Sequence, residues 1–106
     1  MAEKQHIIND LIPEFFRLIS HEYDVNRVIL YGSYAKDKAD IMSDIDLAVI
    51  INSNKKDRFS ITNRLYKLAR QIDIRIEPRC FFTDEIENAE SASIISEILR
   101  TGLVIC

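Results

Sequence analysis

The segment from Asp44 to Ile51 constrains the fold of this chain more than any other stretch. Apart from Asp44 and Asp46 it is almost continuously apolar and rich in branched residues. This pattern predicts a β-strand that is covered on at least one face. The rest of the chain must therefore supply the elements that cover it.

Helical and strand periodicities alternate along the remaining sequence. Three- and four-residue spacing of apolar residues predicts helices over 3–21, 58–71 and 83–100, and Pro13 predicts a kink or two short helices meeting near Leu11–Ile12. Strands are predicted over 25–31 and over all or part of 71–81, where Ile72, Ile74 and Ile76 alternate with charged residues. A short helix and a loop are expected within 34–43. Gly102 is expected to end the last helix before a terminal strand over 103–105.

This order of elements predicts an α/β (α+β) fold, with a single small mixed β-sheet flanked by helices. The chain has 106 residues and a mass of 12.3 kDa, which fits one compact domain and leaves little room for a second. The sequence shows no internal repeat, low-complexity tract or linker. We therefore expect a single domain over residues 1–106.

Composition removes several classes of function. The chain has only two glycines, Gly32 and Gly102, which excludes the glycine-rich loops of dinucleotide-binding and Walker proteins. Cys80 and Cys106 form no C-x-x-C pair and have no histidine at ligand spacing, so both are expected to be reduced thiols. No apolar run approaches the ~20 residues of a membrane span. The N-terminus has no secretory signal, so a cytoplasmic protein is predicted.

The formal net charge of −3 argues against nucleic acid as a partner. The charges are unevenly placed: residues 55–70 hold six lysine and arginine side chains against Asp57, and residues 84–97 hold five acidic side chains and no base. Two solvated helix faces would explain this distribution. Alternatively, the basic face lies close enough to an active site to meet a nucleotide or an acidic partner.

Two carboxylates give the central predicted strand a chemical role. Asp44 and Asp46 lie two residues apart, so both side chains leave the same face while Ile45 and Leu47 point into the core. Like charges this close need a cation or a proton to offset them, and Mg²⁺ takes oxygen ligands of this kind. If the strand that carries Asp73 is a neighbour, the three carboxylates form a triangle suited to one or two Mg²⁺ ions.

A glycine and a serine precede these carboxylates, at the end of the first predicted strand. Gly32 lets the backbone approach a ligand closely, and Ser33 offers a hydroxyl and a backbone N–H to phosphate oxygens. A phosphate-binding turn and a metal-binding pair of carboxylates would then face each other.

The segments 30–36 (LYGSYAK) and 43–49 (SDIDLAV) together resemble the signature of the nucleotidyltransferase superfamily, which includes DNA polymerase β and the kanamycin nucleotidyltransferases. The short length and the closing Ile72-Asp73-Ile74 are similar to its minimal branch, the MNT proteins that often accompany HEPN proteins. The resemblance covers about residues 5–105. It implies a nucleotidyltransferase fold.

The resemblance also implies a reaction and a set of roles. A hydroxyl attacks the α-phosphate of an NTP, and pyrophosphate leaves. Gly32 and Ser33 would hold the β- and γ-phosphates. Asp44 and Asp46 would bind both metal ions, and Asp73 would bind the catalytic metal and help to deprotonate the nucleophile. Mg²⁺ is the implied cofactor, and ATP or another NTP is the implied substrate.

Two positions complicate this assignment. The family pattern continues Gly-Ser-x-Ala-x-Gly, whereas Asp37 stands at the last position here. Aspartate tolerates a left-handed backbone, but its charge is unfavourable near a triphosphate. Glu77 projects from the same predicted face as Asp73, four residues further on, and is the alternative third carboxylate. The Ile-Asp-Ile context favours Asp73.

The leading hypothesis is an Mg²⁺-dependent nucleotidyltransferase that moves AMP from ATP onto a hydroxyl. The resemblance suggests a HEPN-type ribonuclease as the acceptor, with this chain as the antitoxin of a toxin–antitoxin pair. The alternative is a non-catalytic, antitoxin-like module that neutralises a partner by contact. Nucleic-acid extension is a third hypothesis, against which the acidic balance counts. A separate acceptor-binding domain would not fit, so the acceptor surface must come from another molecule or from a second copy in a homodimer.

Overall fold

The structure, a computed structural model, describes residues 2–40, 43–53, 57–90 and 93–106. The described helices are α1 (Ala2–His6), α2 (Ile12–Ser20), α3 (Arg58–Ala69), α4 (Thr83–Glu87) and α5 (Ile94–Thr101), and a π-helical segment, Ile7–Leu11, joins α1 to α2. The described strands are β1 (Val25–Tyr31), β2 (Ile45–Ile51), β3 (Ile76–Phe82) and β4 (Leu103–Val104). The strand predicted over 25–31 coincides with β1.

These four strands form one mixed sheet in the order β3-β2-β1-β4. β1 is antiparallel to both of its neighbours, β2 and β4, whereas β2 and β3 run parallel. Parallel strands need a crossover connection, and α3 lies between β2 and β3 in the chain. The prediction of an α/β (α+β) fold with one small mixed sheet flanked by helices is confirmed.

The sheet has an apolar cluster on each face. The larger cluster lies between the sheet and helices α2 and α3 and includes Phe15, Leu30, Leu47 and Leu65. The smaller cluster lies between the sheet and α5 and consists of Ile29, Ala48, Ile50, Phe81 and Ile98. On this second face β2 is apolar only from Ala48 onward, because the preceding residue of the same face is Asp46. The start of β2 is therefore where polar chemistry replaces the core.

The first helical stretch is interrupted, as Pro13 predicts. The π-helical segment ends at Leu11, and α2 begins at Ile12 with the proline in its first turn. A proline has no N–H to donate, and the first turn of a helix is the place where that loss matters least. Ile7 and Ile12, on either side of the interruption, are both fully buried. Pro13 thus predicts the position of the irregularity near Leu11–Ile12, but its form is a π-helical segment within one helical run rather than two separate helices that meet.

The prediction of a short helix within 34–43 is wrong for the described part of that segment. Residues 32–37 form consecutive turns. The N–H of Lys36 donates to the Gly32 carbonyl at 3.1 Å, and the N–H of Lys38 donates to the Ser33 carbonyl at 2.9 Å. The left-handed backbone of Asp37 is incompatible with continuation of a right-handed helix. Ile41 and Met42 lie outside the described residues.

The third strand begins later than the alternation of isoleucines predicts. After α3 the N–H groups of Ile72 and Asp73 both donate to the Ala69 carbonyl at 2.9 Å, which makes a turn. β3 starts only at Ile76, and Ile74 is 85% exposed. The predicted place of Asp73 on a strand is therefore wrong, because the chain is still turning at that residue.

The C-terminal segment differs from its prediction in the helix and agrees with it at Gly102. The helix predicted over 83–100 is divided into α4 and α5, and Gly102 caps α5 before β4, as predicted.

Cys80 and Cys106 are free cysteines, and burial raises the pKa of the Cys80 thiol to about 11. Among the described helices none has the length and apolarity to cross a membrane.

Candidate active site

Three polar side chains stand in one row across adjacent strands. In the strand register, Tyr31 at the end of β1 is opposite Asp46 of β2, and Asp46 is beside Glu77 of β3. Paired residues of a sheet point to the same face, here the face of the smaller apolar cluster. Asp46 and Glu77 therefore form a pair of neighbouring carboxylates on two parallel strands.

Gly32 brings the turn after β1 directly against this pair. Its φ of 73° lies in the left-handed region that favours glycine. A Cβ atom built on Gly32 would stand 2.4 Å from Oδ2 of Asp46, closer than real Cβ contacts. Any other residue would displace this carboxylate from its present position. The structure thus brings together Gly32, which the sequence assigns to phosphate binding, and Asp46, which it assigns to a metal ion, with Ser33 next in the turn.

Negative charge accumulates around Asp46. The side chain is half-buried, and burial raises the pKa of its carboxyl above the ordinary 3.8, with further increases from the charges of Asp44 and Glu77. Asp44 lies just before β2 and is exposed. A carboxyl whose ionisation is disfavoured by burial and by neighbouring carboxylates marks a place where a cation would be stabilised.

Glu77 is held from the side of α3. The phenol of Tyr66 donates a hydrogen bond of 2.6 Å to Oε2 of Glu77. This hydrogen bond, followed by burial, raises the pKa of Tyr66 to about 12. The phenol is therefore protonated at neutral pH and remains a hydrogen-bond donor to the carboxylate.

Asp73 forms its hydrogen bonds with Arg75 and is not part of the acidic row. Its Oδ1 accepts from the backbone N–H of Arg75 at 2.8 Å and from Nε of the same residue at 3.0 Å, and its Oδ2 accepts from Nη2 at 2.9 Å. These contacts with Arg75 hold the pKa of Asp73 below its ordinary value. The guanidinium also pairs with Glu3 of α1, 2.8 Å from Nη1 to Oε1. Asp73 thus stabilises a turn, while Glu77 occupies the row beside Asp46.

Asp37 takes the backbone conformation that a glycine would provide. Its φ is 56°, so the expectation that aspartate would tolerate this turn is confirmed. Its carboxylate pairs with the ammonium of Lys4 at 2.6 Å, and this contact lowers the pKa of Asp37. The negative charge that the sequence places near a triphosphate is therefore matched by a positive charge from α1.

A cleft of about 570 Å³ opens beside the carboxylates, between β3, α3 and α5. Asp46 and Glu77 line it, as do two cationic side chains, Arg58 and Arg79. Arg58 pairs with Glu85 of α4. The remaining lining includes Tyr31, Thr62, Tyr66, Phe81, Ile94 and Ile95. A concave surface with an apolar wall and a few convergent polar groups is the usual form of a small-molecule site.

The acidic side chains suit a hard divalent cation in their chemistry. Asp44, Asp46 and Glu77 offer only carboxylate oxygens, the ligands that Mg²⁺ prefers. In the described ranges no three acidic, histidine or cysteine side chains are already arranged around one ion position.

Sequence reasoning missed Tyr66 and ranked Glu77 second. The residue that pairs with Asp46 depends on where β3 starts, and the isoleucine alternation runs on through the turn that precedes it. Aspartate is common in turns because its side chain can accept from the backbone N–H two residues on, and this tendency is the one sequence signal against a strand at Asp73. Nothing in the sequence pairs Tyr66 with Glu77, because that contact joins a helix to a strand.

Comparison with known proteins identifies the family of this chain. Residues 15–106 match the family described as "Polymerase beta, Nucleotidyltransferase". A chain from Methanocaldococcus jannaschii described as a "putative protein adenylyltransferase" is 32% identical over 92 residues, which cover 76% of this chain and 93% of that one. The crystal structure of a "putative nucleotidyltransferase" from Sulfolobus solfataricus has a similar fold, with a TM-score of 0.66 at 17% identity over 97% of this chain and 83% of that one.

The chain therefore belongs to the polymerase β nucleotidyltransferase family, in its minimal branch, and is a nucleotidyltransferase. The resemblance inferred from the Gly-Ser and Asp-x-Asp motifs is confirmed.

Proposed function

We propose that this chain transfers AMP from ATP onto the hydroxyl of an acceptor in an Mg²⁺-dependent reaction. The observation that carries the proposal is the contact of Gly32 with Asp46, in register with Glu77. Through it the Gly32–Ser33 turn, for which we propose phosphate binding, lies beside a pair of carboxylates. The name of the M. jannaschii relative, a protein adenylyltransferase, supports AMP as the transferred group.

Each residue has a role in this proposal. The backbone at Gly32 and the hydroxyl of Ser33 bind the β- and γ-phosphates, and Asp44 and Asp46 hold the cation. When bound, Mg²⁺ neutralises charge on the phosphates. Glu77, rather than Asp73, is the third carboxylate, which helps to hold the cation and accepts the proton of the acceptor hydroxyl. A bond forms between the acceptor oxygen and the α-phosphorus, the bond from that phosphorus to the bridging oxygen breaks, and pyrophosphate leaves.

The acceptor is proposed to be a second protein. The family resemblance points to a hydroxyl of a HEPN-type partner, with this chain as its antitoxin. The cleft beside Glu77 is open to such a group, and a homodimer could complete the acceptor surface in the same way. Neutralisation of the partner by contact alone is the competing function.

Incubation with ATP labelled at the α-phosphate, Mg²⁺ and the HEPN-type protein tests this function. We expect label on the partner protein, one pyrophosphate released per AMP transferred, and loss of both signals when EDTA removes the cation. Label from the γ-phosphate should not be transferred. Inhibition of the partner without any transfer of label would instead support neutralisation by contact.

The choice between the two candidate third carboxylates gives a paired prediction. Glu77→Gln should lower the rate of AMP transfer by about 10²-fold or more, the usual size of a general-base contribution. Asp73→Asn should keep most of the activity and lower the free energy of unfolding by about 1–2 kcal/mol, because it weakens hydrogen bonds to a charged group. Initial rates and urea unfolding of both variants measure these effects. The reverse pattern, with activity lost only in Asp73→Asn, would restore Asp73 to the site.

A further inference from the structure

The hydrogen bond between Tyr66 and Glu77 joins the crossover helix to the acidic row. Tyr66 lies in the third turn of α3, and α3 packs against β3. Its phenol oxygen is 2.6 Å from Oε2 of Glu77, a short distance that is typical of a hydroxyl donating to a carboxylate. The guanidinium of Arg70 lies 5.9 Å from the centre of the Tyr66 ring. The ring is thus held from its own helix as well as by the carboxylate.

The contact leaves one oxygen of Glu77 for another ligand. Tyr66 occupies Oε2, and no hydrogen bond to Oε1 occurs within the described ranges. A glutamate side chain has three rotatable bonds, so an unheld Glu77 would sample several positions relative to Asp46. A donor that fixes one oxygen restricts where the other can lie. Outer partners of this kind orient the carboxylates that bind metal ions.

We propose that Tyr66 is a positioning residue that orients the Glu77 carboxylate toward Asp46, for cation binding and for catalysis. This inference rests on the proposed function, in which Glu77 is the third carboxylate. The phenol does not touch the reacting atoms, and it acts only through Glu77. Its loss should therefore weaken the binding of a divalent cation and slow turnover without weakening the binding of ATP to the Gly32–Ser33 turn.

Tyr66→Phe tests the proposal, since it removes only the hydroxyl. We expect kcat for AMP transfer to fall about 10- to 100-fold and the affinity for Mn²⁺, titrated by electron paramagnetic resonance, to fall by at least about tenfold. The KM for ATP should stay near the wild-type value. Tyr23→Phe is the matched control because Tyr23 is also half-buried and belongs to the larger cluster, away from the acidic row. It should change neither kcat nor Mn²⁺ affinity.

Several outcomes would overturn this role. Unchanged Mn²⁺ affinity and kcat in Tyr66→Phe would show that the hydrogen bond has no positioning effect. Equal losses in Tyr23→Phe would show general destabilisation, and AMP found on Tyr66 by mass spectrometry would make it an acceptor instead. If the wild type transfers no AMP, the proposed function fails, but the Mn²⁺ titration still decides whether Tyr66 positions Glu77.

Discussion

Asp46→Asn should lower the rate of AMP transfer by about 10³-fold, because a bound metal ion supplies several kcal/mol of transition-state stabilisation and each 1.4 kcal/mol is about tenfold. Asparagine keeps the shape of the side chain but removes its charge. Asp46 is the residue that contacts the Gly32 turn and neighbours both other carboxylates.

The same substitution should not weaken the fold. The pKa of Asp46 is raised in the folded chain by burial and by Asp44 and Glu77. Above pH 3.8, the ordinary pKa of the group, the folded state therefore holds its proton more tightly than the unfolded state does. Ionisation of Asp46 therefore opposes folding, so the free energy of unfolding of the wild type falls as the pH rises through the raised pKa of Asp46. Asparagine has no carboxyl group to ionise, so the free energy of unfolding of Asp46→Asn at neutral pH should equal or exceed that of the wild type.

Activity assays and thermal unfolding without divalent cations at pH 4 and pH 7 measure both effects. The gain in stability from Asp46→Asn should be larger at pH 7 than at pH 4. Asp24→Asn, in an exposed residue before β1, is the control for loss of one negative charge. An Asp46→Asn variant that retains most of the wild-type rate would refute the placement of the site.

Gly32→Ala should lower the rate of AMP transfer by about 10²-fold, the size expected when a catalytic group is displaced by ~1 Å. The new Cβ would meet Oδ2 of Asp46 at 2.4 Å, and the carboxylate, which is the free end of its side chain, would swing away. The packing cost is therefore small, while the position of the carboxylate is lost. The left-handed backbone of Gly32 adds about 1–2 kcal/mol of destabilisation.

Gly102→Ala provides a matched control. A Cβ there would stand 2.5 Å from Cγ2 of Ile29 and 2.6 Å from the carbonyl oxygen of Ile98, so this variant also strains the fold, but it does not meet the Asp46 carboxylate. At a temperature where both variants are folded, only Gly32→Ala should lose kcat. Equal loss of activity in the two variants would attribute the effect to stability alone.

The fold was more predictable from the sequence than the third carboxylate was. The strand periodicities of 25–31 and 44–51 arise from local burial on a sheet, and they located β1 and β2 to within one residue. Pro13 predicted the helix interruption because its effect is confined to the backbone nearby. The Gly-Ser and Asp-x-Asp motifs sufficed to indicate the family, because each lies within one short segment.

Contacts between segments were not predictable in the same way. The start of β3 is set by pairing with β2, where Ile45 N–H donates to the Arg75 carbonyl at 2.8 Å. Nothing in the isoleucine pattern of 72–76 reports that pairing, so a turn was indistinguishable from a strand. The ion pair of Lys4 with Asp37 spans 33 positions of the chain, and charge patterns along one segment cannot reveal it.

The two walls of the site differ in how firmly they are held. Asp46 lies on β2, which has a hydrogen-bonded strand on each side. The Gly32–Asp37 turn is continuous with β1 at one end, and near its other end it meets α1 through the Lys4–Asp37 ion pair. Asp37 is exposed in this ion pair, so the pair contributes little to stability and weakens as salt is added. Between its ends the turn is anchored by Tyr34, whose side chain is buried in the larger cluster. Added salt should therefore loosen only the Asp37 end of the turn, while the carboxylate wall on β2 keeps its position.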